Sequence, residues 1–234
     1  FAGVFEFGNL NPETKYSIEV RGGAERSQLD VRTLPTTVTN RVGEWFNVLV
    51  ASCYCAHNDF LRSSTGLREP VLSAIPKELT PHMSLFMGDQ VYLDLPPRVF
   101  EEDADRLAEA FEQLYVKNWR DNRLSKLLSA APGVTIADDH EYWNDFPHIC
   151  PWNRITKTPW GQKAWTKVCR ALFEGFQQSS MSEPGEPIVF TIPPLSFCIA
   201  DFRTFRNADT MSLLGRSNLQ KVLKWTEDVA AQKY

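Results

Sequence analysis

The stretch Met83-Ser-Leu-Phe-Met-Gly-Asp-Gln-Val-Tyr-Leu-Asp94 decides how this chain is read. Its first five residues show no polar alternation and run straight into Gly88-Asp89. An apolar run of that length suits a strand buried on both faces, as in a sheet covered by helices. Residues 46–50, 134–137 and 195–200 have the same character. Together they predict four strands adjacent in one sheet. Between the second and third runs, residues 101–129 read as a long helix, with Leu107, Ala110, Phe111, Leu114 and Tyr115 at three-and-four spacing. Residues 160–177 put Trp165, Val168, Cys169, Leu172, Phe173 and Phe176 on one helical face, and 218–230 give a third helix. Strands alternating with helices predict an α/β domain over residues 41–234.

Residues 1–40 read differently. Segments 2–7, 16–20 and 29–32 alternate as strands do. Leu10-Asn-Pro-Glu-Thr-Lys-Tyr16 places a forced turn before a strand whose first residue is a tyrosine. That pattern resembles the tyrosine corner of fibronectin type III-like sandwiches, and an ordinary β-arch would also produce it. Three strands are too few to close a sandwich, so the sequence is expected to open inside such a domain. A Thr-rich linker over 35–40 separates the two regions.

Composition sets the outer bounds. Hydrophobic residues make up 43% and charged residues 23%, enough apolar side chain for a core and unlike a disordered chain. A net charge of -4 speaks against nonspecific grip on nucleic acid. It does not oppose a phosphorylated substrate, because bound cations invert the local field. No apolar stretch approaches the roughly 20 residues that span a bilayer. Five cysteines, with a Cys53-x-Cys55 pair in place of CxxC, form no zinc cage and leave the compartment undecided. HExxH, EF-hand, Walker A, GxGxxG and GxSxG motifs are all missing, which sets those classes aside.

The residues at the carboxyl end of each apolar run are more telling. The first run meets Ser52-Cys53, the second Gly88-Asp-Gln-Val-Tyr92, the third Asp138-Asp-His-Glu141 with Asn144, and the fourth Asp201-Phe-Arg203. Ligands in α/β sheets bind outside the carboxyl ends of the strands, so these side chains are expected on one rim. Singly, each has a plain explanation. Gly88-Asp89 would serve as a turn, Asp138-Asp139 as a helix start, Cys53 as apolar filler and Arg203 as a partner to acids. Adjacent carboxylates nevertheless repel unless protonated or bound to a cation. Carboxylate, phenol and amide oxygens suit iron(III), calcium or manganese, and a lone thiolate suits iron or zinc.

At these motifs the chain resembles the alkaline phosphatase D (PhoD-like) family of the calcineurin-like metallophosphoesterases. Leu114-Tyr-Val-Lys-Asn-Trp119 and Leu214-Gly215 with Leu219-Gln220 add to the likeness. The resemblance implies a metallophosphoesterase-type β-sheet sandwich flanked by helices, preceded by a partial fibronectin-like β-sandwich. It implies metal-dependent hydrolysis of phosphomonoesters or phosphodiesters at a di- or multinuclear centre of iron and/or calcium, with manganese or zinc as alternatives. Cys53, Asp89, Tyr92 and Asp139 would hold metal, with Asp89 bridging. His140 would be the general acid or a transition-state donor, and Arg203 and Asn144 would meet the substrate. Members are secreted or periplasmic. The family also completes its site with a late Gly-Asp-x-His motif, and none is present after Arg206 here. The expectation is therefore half of a hydrolase site, as a piece of a longer protein, or a catalytically silent relative acting as a binding or scaffolding module.

Overall fold

The computed structural model describes residues 5–23, 25–38, 45–55, 75–95, 104–178, 183, 185–207 and 209–232. Strands β1 (Lys15–Gly22) and β2 (Glu25–Arg32) form an antiparallel hairpin with Lys15 opposite Arg32 and Gly22 opposite Glu25. The Tyr16 hydroxyl accepts from the Asn11 amide at 2.8 Å, closing the turn that Asn-Pro begins. The strand expected over 2–7 is not formed across 5–7, and 2–4 lie outside the described residues. The described part of this region is a two-stranded sheet. The expected boundary at residue 40 also falls outside the described residues.

Beyond it, β3 (Val48–Ala51), β4 (Met83–Met87) and β5 (Gly133–Ile136) make a parallel sheet in that spatial order. Val48 pairs with Met83, and Ser84 with Gly133. Three of the four predicted runs are thus neighbours. The fourth is not. Strand β7 (Leu195–Ile199) pairs antiparallel with β6 (Ile188–Ile192), a strand that the apolar pattern does not announce. Only Pro193 and Pro194 separate the two strands, and a two-residue link joins antiparallel strands, whereas a parallel pair needs a long crossover. The hairpin still faces the parallel sheet: Ile188 and Ile199 share a buried cluster with Met83, Leu85, Val134 and Ile136.

The helices are α1 (Ala104–Trp119), α2 (Asn122–Leu128), α3 (Pro159–Phe176) and α4 (Gly215–Ala231). The single helix expected over 101–129 is broken at Asp121, whose carboxylate caps α2 by accepting from the Arg123 and Leu124 amides. Residues 101–103 lie outside the described residues. Thr158 caps α3 by accepting from Gly161 N, and Pro159 occupies its first turn, where a missing N–H costs nothing. A second core joins α1 and α3 through Leu107, Phe111, Tyr115, Trp165, Cys169 and Phe173. No described helix is long and apolar enough to cross a membrane.

Candidate metal centre

The chain leaves β4 through two consecutive left-handed residues, Gly88 (φ 90°) and Asp89 (φ 58°), and Cys53 beyond β3 is also left-handed (φ 62°). Non-glycine residues adopt this conformation only where surrounding contacts impose it, and such positions gather at functional sites. Here the contacts are visible. Cys53 N donates to Gly88 O at 3.3 Å and Tyr54 N to Asp89 O at 2.7 Å, extending the β3–β4 pairing past the sheet edge. Both loops therefore turn onto one rim.

Asp89 lies at the centre, 5% exposed. The Cys53 thiol reaches its Oδ2 at 3.3 Å, and the His140 amide donates to its Oδ1 at 3.2 Å. Donor atoms of Asp89, Asp139 and His140 all lie within 4.8 Å of one another, close enough for one ion to join them. His140 Nδ1 is 2.7 Å from Asp94 Oδ1, which leaves Nε2 as the ring's other nitrogen. A carboxylate on one nitrogen fixes the ring's orientation and the proton on that nitrogen. Tyr92 stacks on the His140 ring at 4.1 Å, and burial with the nearby Asp89 raises its hydroxyl above the ordinary value. Arg203 pairs with Asp138, lies 3.8 Å from Asp139, and donates to Phe146 O at 3.0 Å.

No family model and no curated protein matches the sequence. A solved structure of PhoD does match the fold. The TM-score is 0.64 over 92% of this chain, at 18% identity. The fold is PhoD-like. The chain spans 45% of that structure, less than half of its length.

On this rim, the residues expected from sequence come together unevenly. Cys53, Asp89, Tyr92, Asp139, His140 and Arg203 form one connected cluster. Cys53 touches Asp89 but stands outside the group that a single ion could join. Asn144 sits at the edge: its side-chain amide donates to Asp145 at 2.8 Å, while its backbone amide donates to Asp94. Two acids were missed as site residues. Asp94 is buried and bonds His140, and Glu141 is buried and accepts backbone amides of the rim. The signal that would have found Asp94 is its place directly after the buried apolar residues Val91 and Leu93.

Burial and neighbouring charges shift the titratable groups of the rim. Burial raises the Asp89 carboxyl above its ordinary value, with Asp139 adding to this and His140 opposing. Burial, then the nearby Asp89, also pushes the Cys53 thiol up. Burial pulls the His140 imidazole down, but Asp94, Asp89 and Asp139 outweigh it and hold the net value above the usual one. Burial and the Asp89 charge carry Glu141 up to about 7, against the amide hydrogen bonds that favour its anion. No disulfide joins any of the five cysteines, all of which lie among the described residues.

Proposed function

We propose that this rim binds a divalent or trivalent metal and hydrolyses phosphoesters. The observation that carries the reading is the Asp89–Asp139–His140 group, set just past the ends of adjacent parallel strands with an arginine beside it. The two carboxylates would hold iron, calcium, manganese or zinc, and the imidazole beside them is kept for proton transfer rather than ligation. Cys53, in contact with Asp89, and Tyr92, stacked on His140, are proposed as ligands of a second ion that Asp89 would share. Bound metal would supply an activated hydroxide and neutralise charge developing on the phosphoryl oxygens.

The protein's own residues do the rest. Arg203 presents a guanidinium whose fork fits phosphate oxygens. His140, aligned by Asp94 and raised by three acids, carries a proton toward the leaving oxygen. Asn144 borders the same edge and is assigned to substrate contact. The fibronectin-like origin of the first hairpin and a secreted or periplasmic setting belong to the same reading.

The test is metal titration of wild type and Asp89→Asn with Mn2+, Fe2+ and Ca2+, alongside hydrolysis of p-nitrophenyl phosphate and bis(p-nitrophenyl) phosphate. Asp89→Asn should lose at least tenfold in metal affinity. If it binds as tightly as wild type, Asp89 is a turn residue and the reading fails. A second reading has one observation in its favour: Arg203 already pairs with Asp138 and approaches Asp139, so the acids have a cation without any metal. That arrangement would suit a silent binding module, and wild type would then take up no metal.

A further inference from the structure

We infer that Glu141 is a positioning residue that sets the spacing between Asp89 and Asp139 by tying together the two loops that carry them. The inference rests on the metal-site reading above. Glu141 is 0% exposed, an unusual place for a carboxylate. Both of its carboxylate oxygens are engaged by the rim. Oε2 receives the Asp89 amide at 2.8 Å and the Asp138 amide at 2.9 Å. Oε1 receives the Gln90 amide at 2.8 Å and the Gln177 side-chain amide at 3.4 Å.

The division between the two oxygens is informative. Asp89 belongs to the loop after β4, and Asp138 to the loop after β5. A single oxygen atom therefore holds one amide from each loop, and neither loop can move away without breaking that shared contact. Oε1 meanwhile secures the next amide of the β4 loop. Successive amides of Asp89 and Gln90, turned inward by the left-handed pair Gly88–Asp89, form a small anion-binding concavity. Glu141 is the anion that fills it. Every backbone amide held in this way lies within one residue of a proposed metal-site carboxylate: Asp89 itself, Gln90 beside it, and Asp138 beside Asp139. The side chain of Glu141 meets the metal donors only through the backbone, so its effect on them is one of placement.

Chemistry distinguishes this role from mere core filling. Glu141→Gln conserves size and opens no cavity, but one of its two heads becomes an N–H donor facing amide donors. It must give up either the shared two-loop contact or the Gln90 contact. The control is Thr156→Val, which removes buried hydrogen bonds to Cys150 and Asn153 in the loop before α3.

The experiment has two readouts on the full chain: amide hydrogen exchange by NMR, and Mn2+ affinity. In Glu141→Gln, the Asp89, Gln90 and Asp138 amides should exchange at least tenfold faster, and Mn2+ affinity should fall roughly 10–100-fold, as when the outer support of a metal ligand is removed. Thr156→Val should lower stability with Mn2+ affinity of the folded protein unchanged. Glu141→Gln that is folded and binds Mn2+ within twofold of wild type overturns the inference. If wild type takes up no Mn2+, the metal reading fails instead, and exchange alone decides: unchanged exchange at the three amides refutes the tie. If Glu141→Gln does not fold, Glu141→Asp keeps both oxygens on a side chain one methylene shorter. Weakened Mn2+ binding there supports the tie, and wild-type binding overturns it.

Discussion

Gly88→Ala tests how closely the loops after β4 and β5 are pressed together. A Cβ built at residue 88 would stand 2.3 Å from Asp138 Cβ, 2.5 Å from Asp138 N and 2.9 Å from Asp138 Cα. Carbon atoms in contact sit about 3.5–4.0 Å apart, so the new methyl overlaps its neighbour by more than 1 Å. Two of the three atoms belong to backbone, which cannot swing aside as a side-chain tip can. The backbone at Gly88 is also left-handed (φ 90°), a conformation that costs an L-residue about 1–2 kcal/mol. Forcing an extra methyl into a packed site costs about 1–3 kcal/mol more, giving about 2–5 kcal/mol in total. For a domain unfolding with an m-value of about 2 kcal/mol/M, the urea midpoint should drop by about 1–2.5 M. Mn2+ affinity should fall with it, because relief of the overlap pushes Asp138 and Asp139 away from Asp89. Gly22→Ala is the control, since a Cβ there meets nothing within 4 Å. A Gly88→Ala protein within about 0.5 kcal/mol of wild type, the range of an inconsequential surface change, would refute the close approach.

Three further outcomes are expected. His140→Ala should lower kcat on phosphoesters by about 100-fold, the scale of general acid help, while retaining more metal than Asp89→Asn; metal loss equal to that of Asp89→Asn would make His140 a ligand instead. Asp121→Ala removes the cap of α2 and the acceptor of the Tyr54 hydroxyl, and should cost about 1 kcal/mol by urea unfolding. Arg123 holds the Asp121 carboxyl well below the usual range, so its stabilisation is full above the unfolded value near about pH 4 and disappears as pH falls toward the folded value. The variant should therefore lose less stability than wild type below about pH 4, and an identical acid limb would remove Asp121 from that role. Tyr16→Phe should speed exchange of the Asn11 amide with under about 1 kcal/mol lost, since that hydrogen bond is solvent-exposed; unaltered exchange would show that the hydroxyl does not close the turn.

The parts of the fold that rest on local pattern were legible in the sequence. The run 83–87 is the strand Met83–Met87, and the helices expected at 160–177 and 218–230 appear as Pro159–Phe176 and Gly215–Ala231. Strand β6 was not legible because Val189 is apolar yet 47% exposed, so the alternation of faces along Ile188–Ile192 does not show in residue type. The break at Asp121 was hidden because apolar spacing resumes at Leu124 and Leu127, although Asp121-Asn122 was itself a cap signal. In the site, the acids that point onto the rim were found from their place after buried strands. Glu141 and Asp94 were not, because an inward-facing acid is defined by which amides and rings approach it, and those approaches join residues about 50 positions apart.

The chain crosses from one hydrophobic core to the other at the proposed metal donors. Met83 and Leu85 of β4 pack with the β6–β7 hairpin, whereas Val91 and Leu93, just past Asp89, pack among the helices α1 and α3. Ile136 and Tyr142 make the same crossing on either side of Asp139 and His140. Cores of this kind can open as separate cooperative units, each with its own free energy. A centre anchored half in each survives only while both are closed, so its ligand affinity reports the weaker of the two. On warming, metal release should come with the first unit to open, ahead of the loss of helical circular dichroism if that unit is the sheet. Substitutions far from the rim, in either core, would then reset the temperature at which the site lets go.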